Sequence, residues 1–403
     1  MPAIRPGQVV ALCVVALLTL GIVMVTSAGL SVDPAARQPL LSVLTGRTTI
    51  YAALAILMLV AGSRVNLHRL DPACSSRRWW LQIPPWLFVA SVILLGLVYV
   101  PGIGRMVNNS HRWISLGVGA FSISFQPSEF AKWTLIIVIA WYLCLAGPAR
   151  VWKFCTGLVP ALLLICIVCG TIVLEDLGTA VLIGLVAVSL LYLGGARVAY
   201  LVYLSPAALA CLYWMIASSE YRRARIEAFL HPFDDPEGVG YHIIQSMAAI
   251  MDGRITGRGL GHGVHKYGYL PEDTTDFLFA IICEELGLLG AALIATIFLT
   301  LILAGIRIAQ KQQTSFTRLI AIGIVMTVAL QTAMNLMVVT CLAPTKGIAL
   351  PLVSAGGSGW LLTAFSLGLL ISLERKPAEQ NVDVSCACEP SVNEIAAAGS
   401  LSV

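Results

Sequence analysis

Ten apolar stretches, each near 20 residues long, dominate this sequence and leave it one way to fold. They run roughly over 8–30, 48–66, 80–100, 127–147, 155–174, 177–195, 197–217, 275–304, 317–340 and 351–373. A helix of about 20 residues rises about 30 Å, the thickness of a bilayer's hydrocarbon core. The pattern predicts an all-α integral membrane protein with about ten transmembrane helices. Composition agrees. Only 11% of the 403 residues are charged and 58% are hydrophobic, against about 25% charged in a soluble domain. Too little polar surface remains for a soluble enzyme, a disordered chain or a nucleic-acid partner. Arg5 precedes the first stretch, but that run is long and its cleavage signal weak, so it reads as a retained helix.

Lys and Arg in the connections set the orientation. With both termini cytoplasmic, the inner segments hold thirteen basic residues and the short outer segments five. Residues 218–274 then form a large extracytoplasmic loop between helices seven and eight. Residues 1–376 make one polytopic membrane domain. The tail 377–403 is small and polar, without apolar periodicity, and reads as a disordered cytoplasmic segment. Cys166 and Cys169 have C-x-x-C spacing inside LLLICIVCGTIVL, where they act as small hydrophobes rather than as a redox or zinc pair.

Ionisable residues inside spans are costly and mark functional candidates. Glu129 and Lys132 open span four at i and i+3, on one helix face. They make either an ion pair with a function or a capped start, since Pro127 and Glu129 suit the first and third helical positions. Glu175 and Asp176 sit at the outer turn before span six. Asp276 begins span eight close behind Glu272 and Asp273. Clustered carboxylates raise one another's pKa, and a helix N-terminus lowers it. Asp276 is thus either a general base or an N-terminal cap. Glu284 and Glu285 lie about 12–13 Å deeper on the same helix, and at least one should line a wet cavity or pair with a cation, for which Lys132 is a candidate. GRGLGHGVH (257–265) has no strand ahead of it, as a dinucleotide fingerprint requires. His262-x-x-His265 lacks a partner Glu for zinc. SAGGSG (354–359) fits either close helix packing or a backbone approached by a polar ligand.

Taken together, NSHRWISLG, FQPSEFAKW, EDLGTAVLI, YRRARIEAFLHPFDDPEGVGYH, QSMAAI, GRGLGHGVHKYGYLPEDTTDFLFAIICEELG and PTKGIALPLVSAGGS resemble the SEDS family (shape, elongation, division and sporulation). These are the integral-membrane peptidoglycan glycosyltransferases that include the FtsW and RodA branches. Lys346 in PTKG looks like the FtsW branch. The resemblance places the family's catalytic aspartate on Asp276 and its polar pair on Glu129 and Lys132, which favours function over capping there. Asp176, Arg222, Arg225 and Arg47 match further polar positions. Glu272, Glu285, Lys346, Ser354, Gly356, Gly357 and Ser358 fall in the same motifs and are taken as substrate-binding. The sequence departs from the pattern at Glu175 (usually Pro), Thr48 (Gln), His242 (Gln), Cys283 (Gly) and Ala355 (aromatic). The departures concern the shape of the groove and spare the carboxylates and lysine of the centre.

The resemblance implies polymerisation of lipid II, a disaccharide-pentapeptide on undecaprenyl pyrophosphate, at the outer face of the cytoplasmic membrane during cell division. Asp276 would deprotonate the acceptor 4-hydroxyl, which attacks the donor anomeric carbon with inversion. The leaving pyrophosphate needs positive charge, from Lys132, Arg222, Arg225 or a divalent cation, Mg or Mn. No metal-ligand spacing is evident, and the metal stays open. The implied partners are a class B penicillin-binding transpeptidase and other divisome membrane proteins. Two other readings use the same residues: a lipid II flippase, and a non-catalytic scaffold for the transpeptidase. A flippase needs polar residues reachable from both sides, whereas here they crowd one side.

Overall fold

The computed structural model describes residues 5–29, 46–72, 78–107, 110–116 and 123–374. The 377–403 tail expected to be disordered lies outside the described residues. All ten apolar stretches become helices. They are α1 (Pro6–Ala28), α2 (Arg47–Arg64), α3 (Ile83–Leu97), α4 (Pro127–Val151), α5 (Val159–Val173), α6 (Leu177–Leu193), α7 (Val198–Ala217), α10 (Leu278–Gln310), α11 (Ser315–Val339) and α12 (Ser358–Ser372). Two more, α8 (Glu220–Leu230) and α9 (Tyr241–Gly253), lie in the loop between α7 and α10.

Among the described residues, six helices are long and apolar enough to cross a membrane by themselves. Three others are shorter, at α3, α6 and α12, because their apolar stretches spend residues on non-helical ends. The 80–100 stretch begins with a 3-10 turn, Trp79–Leu81. The last stretch was expected to be helical from 351, yet α12 begins only at Ser358. Leu352 (φ 61°) and Gly357 (φ 40°) adopt left-handed backbone, which a helix does not admit.

The outer connection before α4 contains what an all-α expectation lacks, a small antiparallel sheet. Its strands β1 (Gly104–Val107), β2 (Ser110–Leu116) and β3 (Ile123–Phe125) lie in the order β1-β2-β3. Ile114 of β2 faces Phe125 of β3. The sheet carries His111 and Arg112 towards the turn between α5 and α6.

Glycine allows the tight packing of α2 on α12. A Cβ on Gly62 of α2 would lie 2.3 Å from the Phe365 carbonyl of α12, and one on Gly368 equally close to the Leu59 carbonyl. This is small-residue packing of the membrane kind, but not at the SAGGSG glycines. There, a Cβ on Gly356 or Gly357 meets nothing nearer than 3.5 Å. Buried faces of α4, α6 and α11 form the centre of the bundle. By contrast α7 has no buried residue, and its apolar surface is left to lipid.

The helix α10 breaks at Gly287 (φ 66°, ψ −163°). The glycine-rich segment 254–266 falls within the expected 218–274 loop. It instead enters the protein and fills the break. Arg258 N–H donates to the Glu284 carbonyl (2.9 Å), Gly259 N–H to that of Glu285 (3.0 Å), and Leu288 N–H to that of Arg254 (3.0 Å). Irregular backbone at such depth needs protein partners for its polar groups, and here it has them. A Cβ on Gly287 would lie 2.4 Å from the Gly257 nitrogen, so the contact requires glycine.

Candidate active site

Polar side chains gather at one end of the bundle in two clusters joined by the segment 340–357. The first surrounds Asp276. This residue lies just before α10, whose N-cap is Phe277 with no side-chain cap bond, so the capping alternative for Asp276 is not what the structure shows. Its main-chain carbonyl accepts from Asn335 Nδ2 (2.9 Å), which leaves the carboxylate free for chemistry. A Cβ on Gly347 would lie 2.9 Å from Asp276 Oδ2. The PTKG glycine is therefore the residue type that lets the 345–350 segment pass over this carboxylate.

Asp276 is half-buried, and its carboxyl is pushed up to about 7. Burial is the first cause, followed by the negative charges of Glu272 and Asp176, while Arg112 and Arg225 pull the other way. Glu272 adopts φ 57°, an uncommon backbone for a residue with a Cβ. It is held by Thr275 Oγ1 donating to its carboxylate (2.7 Å) and by Phe277 N–H donating to its carbonyl (3.2 Å). Asp176 caps α6, taking bonds from Thr179 N–H (3.0 Å) and Thr179 Oγ1 (2.9 Å), and faces Arg112 at 3.5 Å. Arg112 is further fixed by the Glu175 carbonyl (3.0 Å), and the Glu175 carboxylate accepts from His111 N–H (2.8 Å). Glu175, a departure from the family pattern, thus ties the sheet to the site. Arg225 lies over the Tyr221 ring and donates to the Thr345 carbonyl (3.1 Å). Lys346 is half-buried; burial lowers its pKa and Asp176 raises it.

The second cluster is the pair opening α4. Lys132 Nζ donates to both Glu129 oxygens (2.9 and 2.8 Å) and to Gln331 Oε1 (2.9 Å). Glu129 does not cap α4, so the ion-pair alternative is the one realised. The start of α12 lies beside it. A Cβ on Gly359 would sit 3.7 Å from Glu129 Oε2, and Ser358 Oγ accepts from Gln126 N–H (3.2 Å).

One face of α11 joins the clusters. Gln331 Nε2 donates to the Ala349 carbonyl (3.0 Å). One turn on, Asn335 Nδ2 donates to the carbonyls of Ile348 (2.7 Å) and Asp276. Sequence reasoning missed Gln331, Asn335 and Arg112. The first two carried a readable signal, since amides at i and i+4 in an apolar span imply buried bonding.

Other expected site residues are held by bonds within the protein or lie at helix ends. Glu285 is fully buried, bonded to Lys266 Nζ (2.8 Å), Ser27 Oγ (2.6 Å) and Gly261 N–H (3.1 Å). Glu284 accepts from Val264 N–H (2.6 Å) and meets His265 Nδ1 at 3.1 Å. The side chains bonded to these glutamates are thus Lys266 and His265, not Lys132. Sequence spacing failed here because it says nothing about a loop folding back onto a helix. Arg222 closes the end of α5 through the Val173 and Leu174 carbonyls (2.9 and 3.2 Å). Ser354 is buried, accepting from Leu350 N–H (3.1 Å), while its carbonyl takes the Trp360 indole N–H (2.6 Å). Arg47 opens α2 one turn before Tyr51, whose ring lies beneath Gly357. Asp252, His265 and Glu284 bring ligand atoms within 4.8 Å of one another. Arg258 pairs with Asp252 at 2.7 Å and loop amides occupy Glu284, so the set is already satisfied.

A half-buried carboxylate near arginines, on a bundle of helices long and apolar enough to cross a membrane, defines a multi-pass membrane protein with a polar candidate site. The model of the FtsW/RodA/SpoVE cell cycle proteins matches residues 8–379, and the chain belongs to this family. A probable peptidoglycan glycosyltransferase FtsW of Geobacter sulfurreducens is 37% identical over 373 residues, covering 92% of this chain and 96% of that protein. Stage V sporulation protein E of Bacillus subtilis is 40% identical over 299 residues, covering 74% and 80%. Among solved structures, a chain of the one described as "Structural coordination of polymerization and crosslinking by a peptidoglycan synthase complex" superposes with TM-score 0.68 at 25% identity. It covers 90% of this chain and 96% of that one. The SEDS expectation and its FtsW-like leaning agree with these relatives.

Proposed function

We propose that this protein polymerises lipid II at the outer face of the cytoplasmic membrane during division, with Asp276 as general base. That it is a peptidoglycan glycosyltransferase follows from family membership and from relatives bearing that name over nearly their full length. The observation that carries the mechanism is the carboxyl of Asp276, raised to about 7 and held between acidic and basic neighbours. A base is most effective when its pKa lies near the working pH. Asp276 takes the proton of the acceptor hydroxyl as that oxygen attacks the anomeric carbon. Arg112 and Arg225 lie near it and Lys346 near Asp176, and they supply positive charge for the departing pyrophosphate. Asp176, Glu272 and Asp276 are oxygen donors of the type Mg or Mn takes, but they do not converge as a ligand set: among the described residues the group whose ligand atoms lie within 4.8 Å of one another is Asp252, His265 and Glu284, so no step is drawn through a cation. A penicillin-binding transpeptidase is the proposed partner and the division septum the proposed location, both from the resemblance.

The test is lipid II polymerisation by purified protein with its partner, read as polymer on a gel across pH. The base must be ionised to act. Activity should therefore fall about tenfold per unit below pH 7 and level off above it. A profile flat from pH 5.5 to 8 is incompatible with Asp276 in this role.

Orientation is tested separately. In a cysteine-free background, a cysteine at the exposed Glu237 should react with a membrane-impermeant thiol reagent in intact cells. One at Gln313, between α10 and α11, should react only after lysis. The reverse pattern would invert the topology and put Asp276 on the wrong side for lipid-linked sugar.

A further inference from the structure

His242 is the second residue of α9. Its ring stacks on Phe277, centroids 5.8 Å apart and planes 18° from parallel, and Phe277 directly follows Asp276. Glu272 and Arg225 act electrostatically on both His242 and Asp276, so imidazole and carboxylate share one neighbourhood. Nδ1 is sealed from solvent with no bonding partner. Among the described residues nothing bonds to Nε2 either, and that nitrogen keeps access to solvent.

These facts fix the state of the ring. A sealed N–H without an acceptor is rarer than a sealed lone pair, which assigns the proton of the neutral ring to Nε2. Charging the ring would add an unbonded N–H at the sealed position, close to Arg225. Burial first, and then Arg225, hold the imidazole below its usual range, with Glu272 opposing. At neutral pH the ring is a neutral donor, braced by Phe277, with its one N–H on the accessible side.

We propose that His242 is a substrate-binding residue, its Nε2–H donating to a neutral oxygen of the saccharide beside Asp276, either a hydroxyl or an amide carbonyl. This rests on the reading of that neighbourhood as the sugar site. A neutral donor suits an uncharged oxygen. The anionic part of a lipid-linked sugar has Arg112, Arg225 and Lys346 for partners. The glutamine usual at this position in the family pattern also presents a neutral N–H, and it supplies the conservative variant.

The test reads binding in an Asp276→Asn background, so it does not depend on Asp276 acting as a base. Fluorescent lipid II is titrated into the detergent-solubilised protein carrying His242, His242→Gln or His242→Phe. Losing one hydrogen bond to the ligand should weaken binding about 3–30-fold in the Phe variant, while Gln stays within about twofold of His. His242→Met is read in the same way should the Phe variant fail to fold. Equal affinity for the His protein and the donor-less variants would overturn the proposal, as would a Gln variant binding as weakly as Phe.

Discussion

Asp276→Asn should abolish glycan polymerisation while leaving a folded, membrane-inserted protein. Removing a general base costs about 10²–10⁴-fold in rate, and Asn cannot accept the hydroxyl proton. The fold gives little reason for collateral damage. Asp276 is tied to α11 through its main-chain carbonyl, which Asn335 still reaches in the variant. Its side chain caps no helix. Asn also matches its volume, so Gly347 passes over it as before. Polymerisation should drop to background with the melting temperature within a few degrees of the parent. Near-normal polymer from the Asn variant would remove Asp276 from the mechanism. An inactive variant that also melts far lower would show that the carboxylate serves the fold.

Lys266→Met should be the most destabilising single change near the glycine-rich segment. Lys266 and Glu285 are both fully buried and 2.8 Å apart, and removing one partner strands a charge in the protein interior. Such losses run to about 3–5 kcal/mol. The double variant Lys266→Met with Glu285→Gln should regain more than half of that. Gln is uncharged, and its side-chain oxygen still accepts from Ser27 and Gly261. Thermal unfolding in detergent compares the three proteins. A single variant as stable as the parent would mean the pair does not hold the 254–266 segment in the break of α10. The same series separates two roles for Glu285. A substrate contact would lose activity per folded molecule in the double variant, whereas the buried structural role seen here leaves it nearly intact.

Much of the frame was legible in the sequence because a bilayer allows few solutions. Stretches near 20 residues with almost no charge become helices, since lipid offers backbone groups no other partner. That logic located all ten helices. It also marked Glu129, Lys132, Asp176 and Asp276 as costly residues in search of a role. Helix ends were less legible. Pro351 to Gly357 is as apolar as a span, but left-handed backbone at Leu352 and Gly357 keeps it out of α12. Partners were the least legible. Spacing along a helix shows which residues share a face, and so paired Glu129 with Lys132 correctly. It offered Lys132 as a candidate partner for Glu284 or Glu285, and the structure gives them His265 and Lys266 instead, because these lie on a segment that folds back into the protein. By itself, then, the sequence determined a polytopic membrane protein and marked the carboxylates of its candidate site, through hydropathy and the cost of burying charge. Only the tertiary structure decided which partner each carboxylate meets. Only it brought Arg112 and Arg225 near Asp276, Lys346 near Asp176 and Asn335 onto the Asp276 carbonyl, because those contacts join residues far apart in the chain and depend on how the helices and loops pack.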